Sequence, residues 1–526
     1  LESGLINSVY VAENFDDYYG CVETIVYFHR ATKKQALDFC KDGNPRTKVR
    51  TKVWTNEDIE FIKNINNQLR PADHTYALAR ENSQFNKHEL LQELVEELAK
   101  HLQYADYNYE RKQPFILTRV QRELAELSPG SIRRWSGVAG AGKSLILAEK
   151  CVKALRDNKR VLILTFNITL RHYLRDLCSQ QFGTGKYDGE RKKLRKDLTI
   201  IHFHDLLKVI MTEHEIEVDF DNDEHDYTEK CMSVITSYLA RGTNKSQFKF
   251  DYILIDEGQD FKGAWIRFLK QCFTGQGELF IVYDKAQDLY GNGVWIEDPA
   301  EIKNIGFKGK PGLLRYTHRL PDTMVPKIRA VRQQLQIDAE DILVESSAEQ
   351  VSFHQTALWY NYRSSVSTEK IMQLDHHIDF LRQSNDWEDI TILTTNESTG
   401  AEIVKYFEQK GVRTSHVYAI KQSGDIESRR SEKWKFHGGT GRLKISSFQS
   451  YKGWQTPNIV LILDSPSTRY CNGNITYAAP NPQTIKDAIF ISMSRVKGKA
   501  TTGEYSFICL NYLPEYDHLI SSFENV

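Results

Sequence analysis

The tightest constraint on the fold is a set of short apolar runs, rich in β-branched residues, at 161–164, 252–255, 279–282, 390–394 and 459–463. Each ends in polar residues. Runs without polar alternate positions belong in strands covered on both faces, the condition of parallel sheets. Amphipathic stretches such as 144–158 and 401–410 lie between them and supply the crossover helices that parallel neighbours require. The fold class read from this pattern is α/β, in two blocks. The first covers 113–308 and carries a small insertion at 207–249; the second covers 309–526, with Lys308 to Gly312 as linker.

Two blocks suit the length, because one hydrophobic core stops growing near roughly 250–300 residues. Residues 1–112 belong to neither and read as an α+β accessory or docking region, strand-like at 24–28, helical at 33–41 and amphipathic at 87–102. They show no Asp…Glu-x-Lys nuclease constellation, and the rival reading is the remainder of a nuclease-like domain whose upstream part is absent. The first residue is Leu1, so the start reads as trimmed.

Composition excludes several classes. A formal net charge of −1 argues against a histone-like coating protein, so any nucleic-acid contact must come from local basic patches. The eight cysteines are scattered without a C-x-x-C pair, which argues against zinc, an iron–sulfur cluster or a disulfide framework and fits a reducing cytoplasm. No run approaches the ~20 apolar residues of a membrane span, so no membrane partner is expected.

Two elements carry the chemistry. Gly137, Ala139, Gly140, Ala141, Gly142, Lys143 and Ser144 belong to a G-x-x-x-x-G-K-[ST] loop ahead of a helix. Such a loop turns backbone N–H groups inward around phosphates, with Lys143 for the β- and γ-phosphates and Ser144 for Mg²⁺. The strand before it, 131–136, is unusually polar. Downstream, the apolar run from Tyr252 ends in Asp256 and Glu257. A carboxylate pair at a strand's C-terminal end suits a magnesium ligand, Asp256, and a water-activating base, Glu257. Together they point to bound ATP or GTP with Mg²⁺.

Asp256-Glu257-Gly258-Gln259-Asp260 resembles the DExQD box of superfamily I helicases of the UvrD/Rep/PcrA type, and the likeness continues in order over about 400 of the 526 residues. It implies two RecA-like P-loop domains. Gln121 takes the place of the family's adenine-reading glutamine. Leu164 to Asn167 and Ile201 to Leu206 resemble its strand-contacting motifs, and Ile281 to Tyr290 the motif in which Gln287 senses the γ-phosphate. Leu314 to Arg319, Ser447 to Gln455 and Ile491 to Arg495 resemble the second-block motifs, making Arg319 and Arg495 arginine fingers. Three departures stand out: His318 at the adenine-stacking tyrosine, Gln455 at the KGLE glutamate and Gln449 at the usual histidine. With His318 and Gln455 as the base and ribose contacts, recognition of the nucleoside should be looser.

The resemblance also marks what is missing. Larger relatives insert a mobile domain where this chain has only 416–442, making it a compact form. The 207–249 insertion carries an acidic run (Glu213, Glu215, Glu217, Asp219, Asp221, Asp223, Glu224, Asp226), whereas Arg191, Lys192, Lys193, Arg195 and Lys196 form a basic cluster suited to phosphates. Candidates for contacting a strand, mainly by stacking on its bases, are Phe166, Asn167, Phe203, His204, Tyr290, Trp295 and Trp454. The expected function is ATP-dependent translocation on single-stranded nucleic acid, DNA before RNA, with 3′ to 5′ movement implied by the resemblance alone. Repair and anti-phage defence both use such motors. The rivals are a nucleotide-gated sensor or clamp whose N-terminal region docks a nuclease or other effector, and an Upf-like RNA helicase.

Overall fold

The computed structural model describes residues 24–28, 51–55 and most of 105–524; within that last span 112–113, 183–195, 214–215, 217–226, 241–247, 338–341, 345–354, 365, 421–425, 466–468, 472–473, 477–481 and 501 lie outside the description. The chain divides into Leu1–Gln103 and Tyr104–Val526. In the first unit β1 (Thr24–Phe28) pairs in parallel with β2 (Thr51–Thr55). The helices expected at 33–41 and 87–102, the basic residues 191–195 and the acidic run beyond Glu213 fall outside the described residues.

The second unit holds two six-stranded sheets, all parallel, as the unbroken apolar runs require. The first contains β3 (Ser131–Gly137), β4 (Val161–Thr165), β5 (Leu198–His202), β6 (Phe250–Ile255), β7 (Phe273–Tyr283) and β8 (Gly312–Leu314), in the order β5-β4-β6-β7-β3-β8. A short parallel pair follows, β9 (Tyr316–Thr317) with β10 (Leu343–Val344). The second sheet contains β11 (Gln355–Asn361), β12 (Ile390–Thr394), β13 (Thr414–His416), β14 (Leu443–Ser447) and β15 (Asn458–Leu463). After the hairpin of β16 (Arg469–Cys471) and β17 (Asn474–Thr476) comes β18 (Tyr505–Asn511), giving the order β11-β18-β15-β12-β14-β13. These are two RecA-like α/β layers. The stretch read as a linker delivers β8 onto β3, so pairing in the first sheet runs on to Leu314.

Strand periodicity explains why both faces are covered. Val161 and Ile163 of β4, Tyr252 and Leu254 of β6, and Phe280 and Val282 of β7 enter one core, with the helices Lys143–Arg156 and Leu170–Phe182. Their alternates, Leu162, Leu164, Ile253, Ile255, Leu279 and Ile281, enter a second core with Phe203, Trp265 and Trp295. Side chains two apart share a face, so each strand feeds two cores.

The polar character of β3 has a physical reason. Arg133 pairs with Glu278 on β7, while Arg134 lies over the Phe307 ring at 5.3 Å and donates to the Ile296 carbonyl at 3.1 Å. Glu278 also accepts from Lys150 at 2.7 Å, and both side chains are fully buried. Burial is the larger influence on Lys150 and takes it down to about 8, against the raising effect of Glu278. Removing Lys150 leaves the buried Glu278 with Arg133 as its remaining cation, so the cost should fall at or below about 3–5 kcal/mol, the range for a broken buried pair. Lys150→Ala is therefore expected to lower the urea midpoint sharply. Arg119→Ala, which breaks the exposed pair with Glu123, should move stability by no more than about 0.5 kcal/mol.

Candidate functional site

In the first sheet the chain leaves β3 and crosses two strand positions to reach β4, so the loops after β3, β6 and β7 open at a topological switch point. Ligands of open α/β sheets bind outside the strand ends at that point. The loop after β3 turns into the helix Lys143–Arg156 through two left-handed glycines, Gly140 at φ 77° and Gly142 at φ 81°. A Cβ on Gly142 would lie 2.4 Å from Gln121 Nε2, so neither the conformation nor the space admits a side chain. Gly137, the buried Ala139 and Ala141, and Gly140 complete a loop whose only large side chain is Lys143.

Around that loop the predicted hydrolytic residues meet. Lys143 Nζ donates to the Gly137 and Val138 carbonyls at 2.7 and 3.2 Å and lies 3.6 Å from Asp284. Ser144 Oγ donates to Asp256 Oδ2 at 2.7 Å, which brings a hydroxyl and a carboxylate together at one spot. Glu257 is buried with its backbone left-handed at φ 51° and accepts from Gln259 Nε2 at 2.6 Å. Non-glycine residues held in that conformation cost energy and concentrate at functional sites. Gln287 Nε2 donates to Asp284 at 2.7 Å, and its amide oxygen accepts from Arg495 at 3.0 Å. Arg495 comes from the turn after the second-sheet helix Pro482–Met493. A first-sheet loop and a second-sheet loop therefore share one hydrogen-bonded chain.

The two carboxylates are set apart electrostatically. Burial, followed by the neighbouring Glu257 charge, raises Asp256 to about 6. At Glu257 burial is outweighed by the charges of Lys452, Lys143 and Arg495 and by the Gln259 hydrogen bond, and the carboxyl stays below its usual range. Glu257 is thus kept ionised, as a water-polarising base requires.

Several predicted roles change. Gln121 is 2% exposed, and its amide is engaged at both ends: Nε2 donates to the Ala141 carbonyl at 3.0 Å, and Oε1 accepts from Thr118 N at 2.9 Å. It caps its own helix and braces the phosphate loop, with one N–H of Nε2 and one lone pair of Oε1 outside these two bonds. His318 is exposed, and its backbone N–H donates to the Gly140 carbonyl at 3.1 Å. Gln455 Oε1 accepts from Arg319, which also donates to the Tyr173 hydroxyl. Arg319 is thus held by Tyr173 and Gln455.

Among the strand-contact candidates, Phe203, Trp295 and Trp454 are at most 1% exposed and cannot stack on a base. Phe203 stacks on Trp265 at 4.8 Å. Trp295 lies on Phe307 and donates to the Phe261 carbonyl, and Trp454 donates to Thr169 Oγ1. Asn167 uses its amide to donate to the Ser450 and Lys452 carbonyls, both at 2.9 Å, and so ties the β4 loop to the β14 loop. Phe166, His204 and Tyr290 retain exposed surface, Tyr290 at 44%. The Phe166 and Tyr290 rings meet edge-on at 4.9 Å above a buried base that includes Trp265. Of the seven candidates, these three rings keep exposed surface.

Sequence reading undervalued Lys452. Its Nζ donates to both Asp260 oxygens at 2.6 and 2.8 Å and to the Gln287 carbonyl at 2.6 Å, and lies 3.9 Å from Glu257. The signal was present, since Asp260 and Lys452 each belong to a motif quoted above, but nothing in their spacing says that they pair.

Two substitutions follow. Gly142→Ala should weaken binding of a fluorescent ATP analogue by more than about tenfold while circular dichroism stays unchanged. Tyr290→Ala should weaken single-strand binding by about 1–3 kcal/mol in an anisotropy titration, the range for one base–aromatic stack.

Residues 191–293 match the family model described as the UvrD/REP helicase N-terminal domain. That span covers β5 to β7 with Asp256, Glu257, Gln287 and Tyr290. A search of curated proteins finds no match. Among the described residues no helix is long and apolar enough to cross a membrane.

Proposed function

We propose that this chain, a superfamily I helicase of the UvrD/Rep type, is an ATP-driven translocase on single-stranded nucleic acid. The observation that carries the reading is the chain of contacts from Lys143 through Asp284 and Gln287 to Arg495, which joins the two sheets at the phosphate loop. A triphosphate bound there sits against the N–H groups of residues 137–144. Lys143 and Arg495 lie where charge builds on the transferring phosphoryl group, and Arg319 stands in reserve on Tyr173 and Gln455. Glu257 orients and polarises the attacking water. In this reading Asp284 and Gln287 change partners when the γ-phosphate arrives, and Arg495 is drawn with them.

Ser144 and Asp256 suit Mg²⁺, since a hydroxyl and a carboxylate oxygen are hard donors and this cation takes few protein ligands beside substrate phosphates. When bound there, the ion would neutralise charge on the β- and γ-oxygens.

The strand track runs over Phe166, His204 and Tyr290, because stacking on these rings tolerates any base. The loops after β4 and β7 carry both a stacking ring and a residue of the cross-sheet network, which links strand binding to nucleotide state. A DNA strand and 3′ to 5′ movement rest on the family resemblance.

The test is ATP turnover with and without single-stranded DNA, single-stranded RNA and tailed duplexes. Lys143→Ala and Glu257→Ala are each expected to abolish turnover, and Arg495→Ala to lower kcat by about 10³-fold or more. Normal strand-stimulated hydrolysis in either of the first two variants would sink the assignment. Strong stimulation without strand displacement would favour a nucleotide-gated clamp.

A further inference from the structure

The helix Asp106–Arg111 belongs to neither sheet, yet it is bound to elements of both. On one side Tyr107 donates to Asp176 at 2.7 Å, Arg111 meets the same carboxylate at 3.3 Å, and Gln180 Nε2 donates to the Glu110 carbonyl at 2.5 Å. Asp176 and Gln180 lie on Leu170–Phe182, the helix whose Tyr173 holds Arg319. On the other side Asp106 N donates to both Asp389 oxygens at 3.0 and 3.1 Å, and Ala500 N donates to Asp106 Oδ1 at 2.7 Å. Lys497 Nζ donates to Asp106 at 2.8 Å and to Glu110 at 2.5 Å.

Apart from Glu110, whose side chain is 40% exposed, these charges are out of water. Lys497 is 6% exposed, Asp106 4% and Asp389 3%. Burial alone would lower the Lys497 ammonium, but Glu110 and Asp106 together hold it above its usual value. A buried charge keeps its place only while its partners do, which makes this junction stiff in a way that a surface pair is not.

Lys497 stands two residues after Arg495, and the backbone between them is pinned. Thr456 N donates to the Arg495 carbonyl and Lys497 N to the Thr456 carbonyl, both at 3.2 Å. One short turn therefore carries an arginine that reaches into the hydrolytic group and a lysine anchored outside it. We propose that Lys497, gripped by Asp106 and Glu110, is a positioning residue that sets the reach of Arg495, with Asp106–Arg111 as a strut from the first-sheet helix to the finger-bearing turn. Tilting the strut or releasing Lys497 lets the turn rotate, and Arg495 loses its register with Gln287. The inference rests on the reading of Arg495 as a finger.

The experiment compares steady-state ATP turnover, at saturating single-stranded DNA, for the full chain and for Lys497→Met, Lys497→Arg and Asp106→Asn, each also made in an Arg495→Ala background. Lys497→Met is expected to lower kcat by about tenfold with KM for ATP moving less than about threefold, the signature of an interaction made in the transition state. Lys497→Arg should recover most of the rate. With Arg495 already gone, Lys497→Met should remove less than about a further twofold, because residues acting as a unit are non-additive. An equal loss in both backgrounds would overturn the strut, as would an unchanged kcat in the folded variant. Should Lys497→Met fail to fold by circular dichroism, Asp106→Asn carries the same comparison, since it removes the charge but keeps an oxygen for Ala500 N. A loss on Arg495→Ala without one on the strut variants would leave the proposed function standing. A wild-type chain that hydrolyses no ATP would sink both.

Discussion

One buried ammonium, that of Lys452, holds the two sheets in register at the site. It is 1% exposed, arrives on the loop after β14, and is bound by Asp260 and the Gln287 carbonyl from the first sheet. Taking an ammonium out of water is tolerable only with close oxygen partners, and here both sheets supply part of that arrangement. Burial raises Asp260 to about 7 even though Lys452 pulls it down. The same ammonium lies near Glu257 and is the largest of the influences lowering it. One side chain thus contributes both to cohesion between the sheets and to the ionised state of Glu257.

The loops after β4 and β7 extend this coupling outward. Asn167 and Thr169 grip the backbone of the β14 loop, while Phe166, the residue before Asn167, faces the stacking surface. Gln287 bonds Arg495, and Tyr290, three residues on, supplies the most exposed ring of that surface. Exposed rings and cross-sheet hydrogen bonds alternate along a few residues, so short movements at one reach the other. Such coupling needs differential contacts in two states, and the cross-sheet hydrogen bonds are where those differences would arise.

Much of this is legible in the amino-acid order alone. Continuous apolar runs require parallel strands, and the order of the glycine loop and the carboxylates fixes which strand ends face the site. The hydrolytic residues are readable because their chemistry demands particular types at particular spacings. The aromatic candidates are not: Phe203 and Trp454 carry the same kind of side chain as Phe166 and Tyr290, and only burial separates a core ring from a stacking ring. Gln121 is readable as a neighbour of the nucleotide loop, but its bonds to Thr118 and Ala141 are not, because a sequence does not say which backbone groups an amide will meet.

The sequence by itself determined the local elements, the parallel sheets and the inventory of reactive groups, since each depends on periodicity or on residue type within a short stretch. Tertiary structure decided the pairings across long separations: Lys452 with Asp260, Arg495 with Gln287, and Lys497 with Asp106. A charged side chain in a sequence has many potential partners of the opposite sign. Which one it meets depends on how the two sheets come together, and that geometry is distributed over the whole chain.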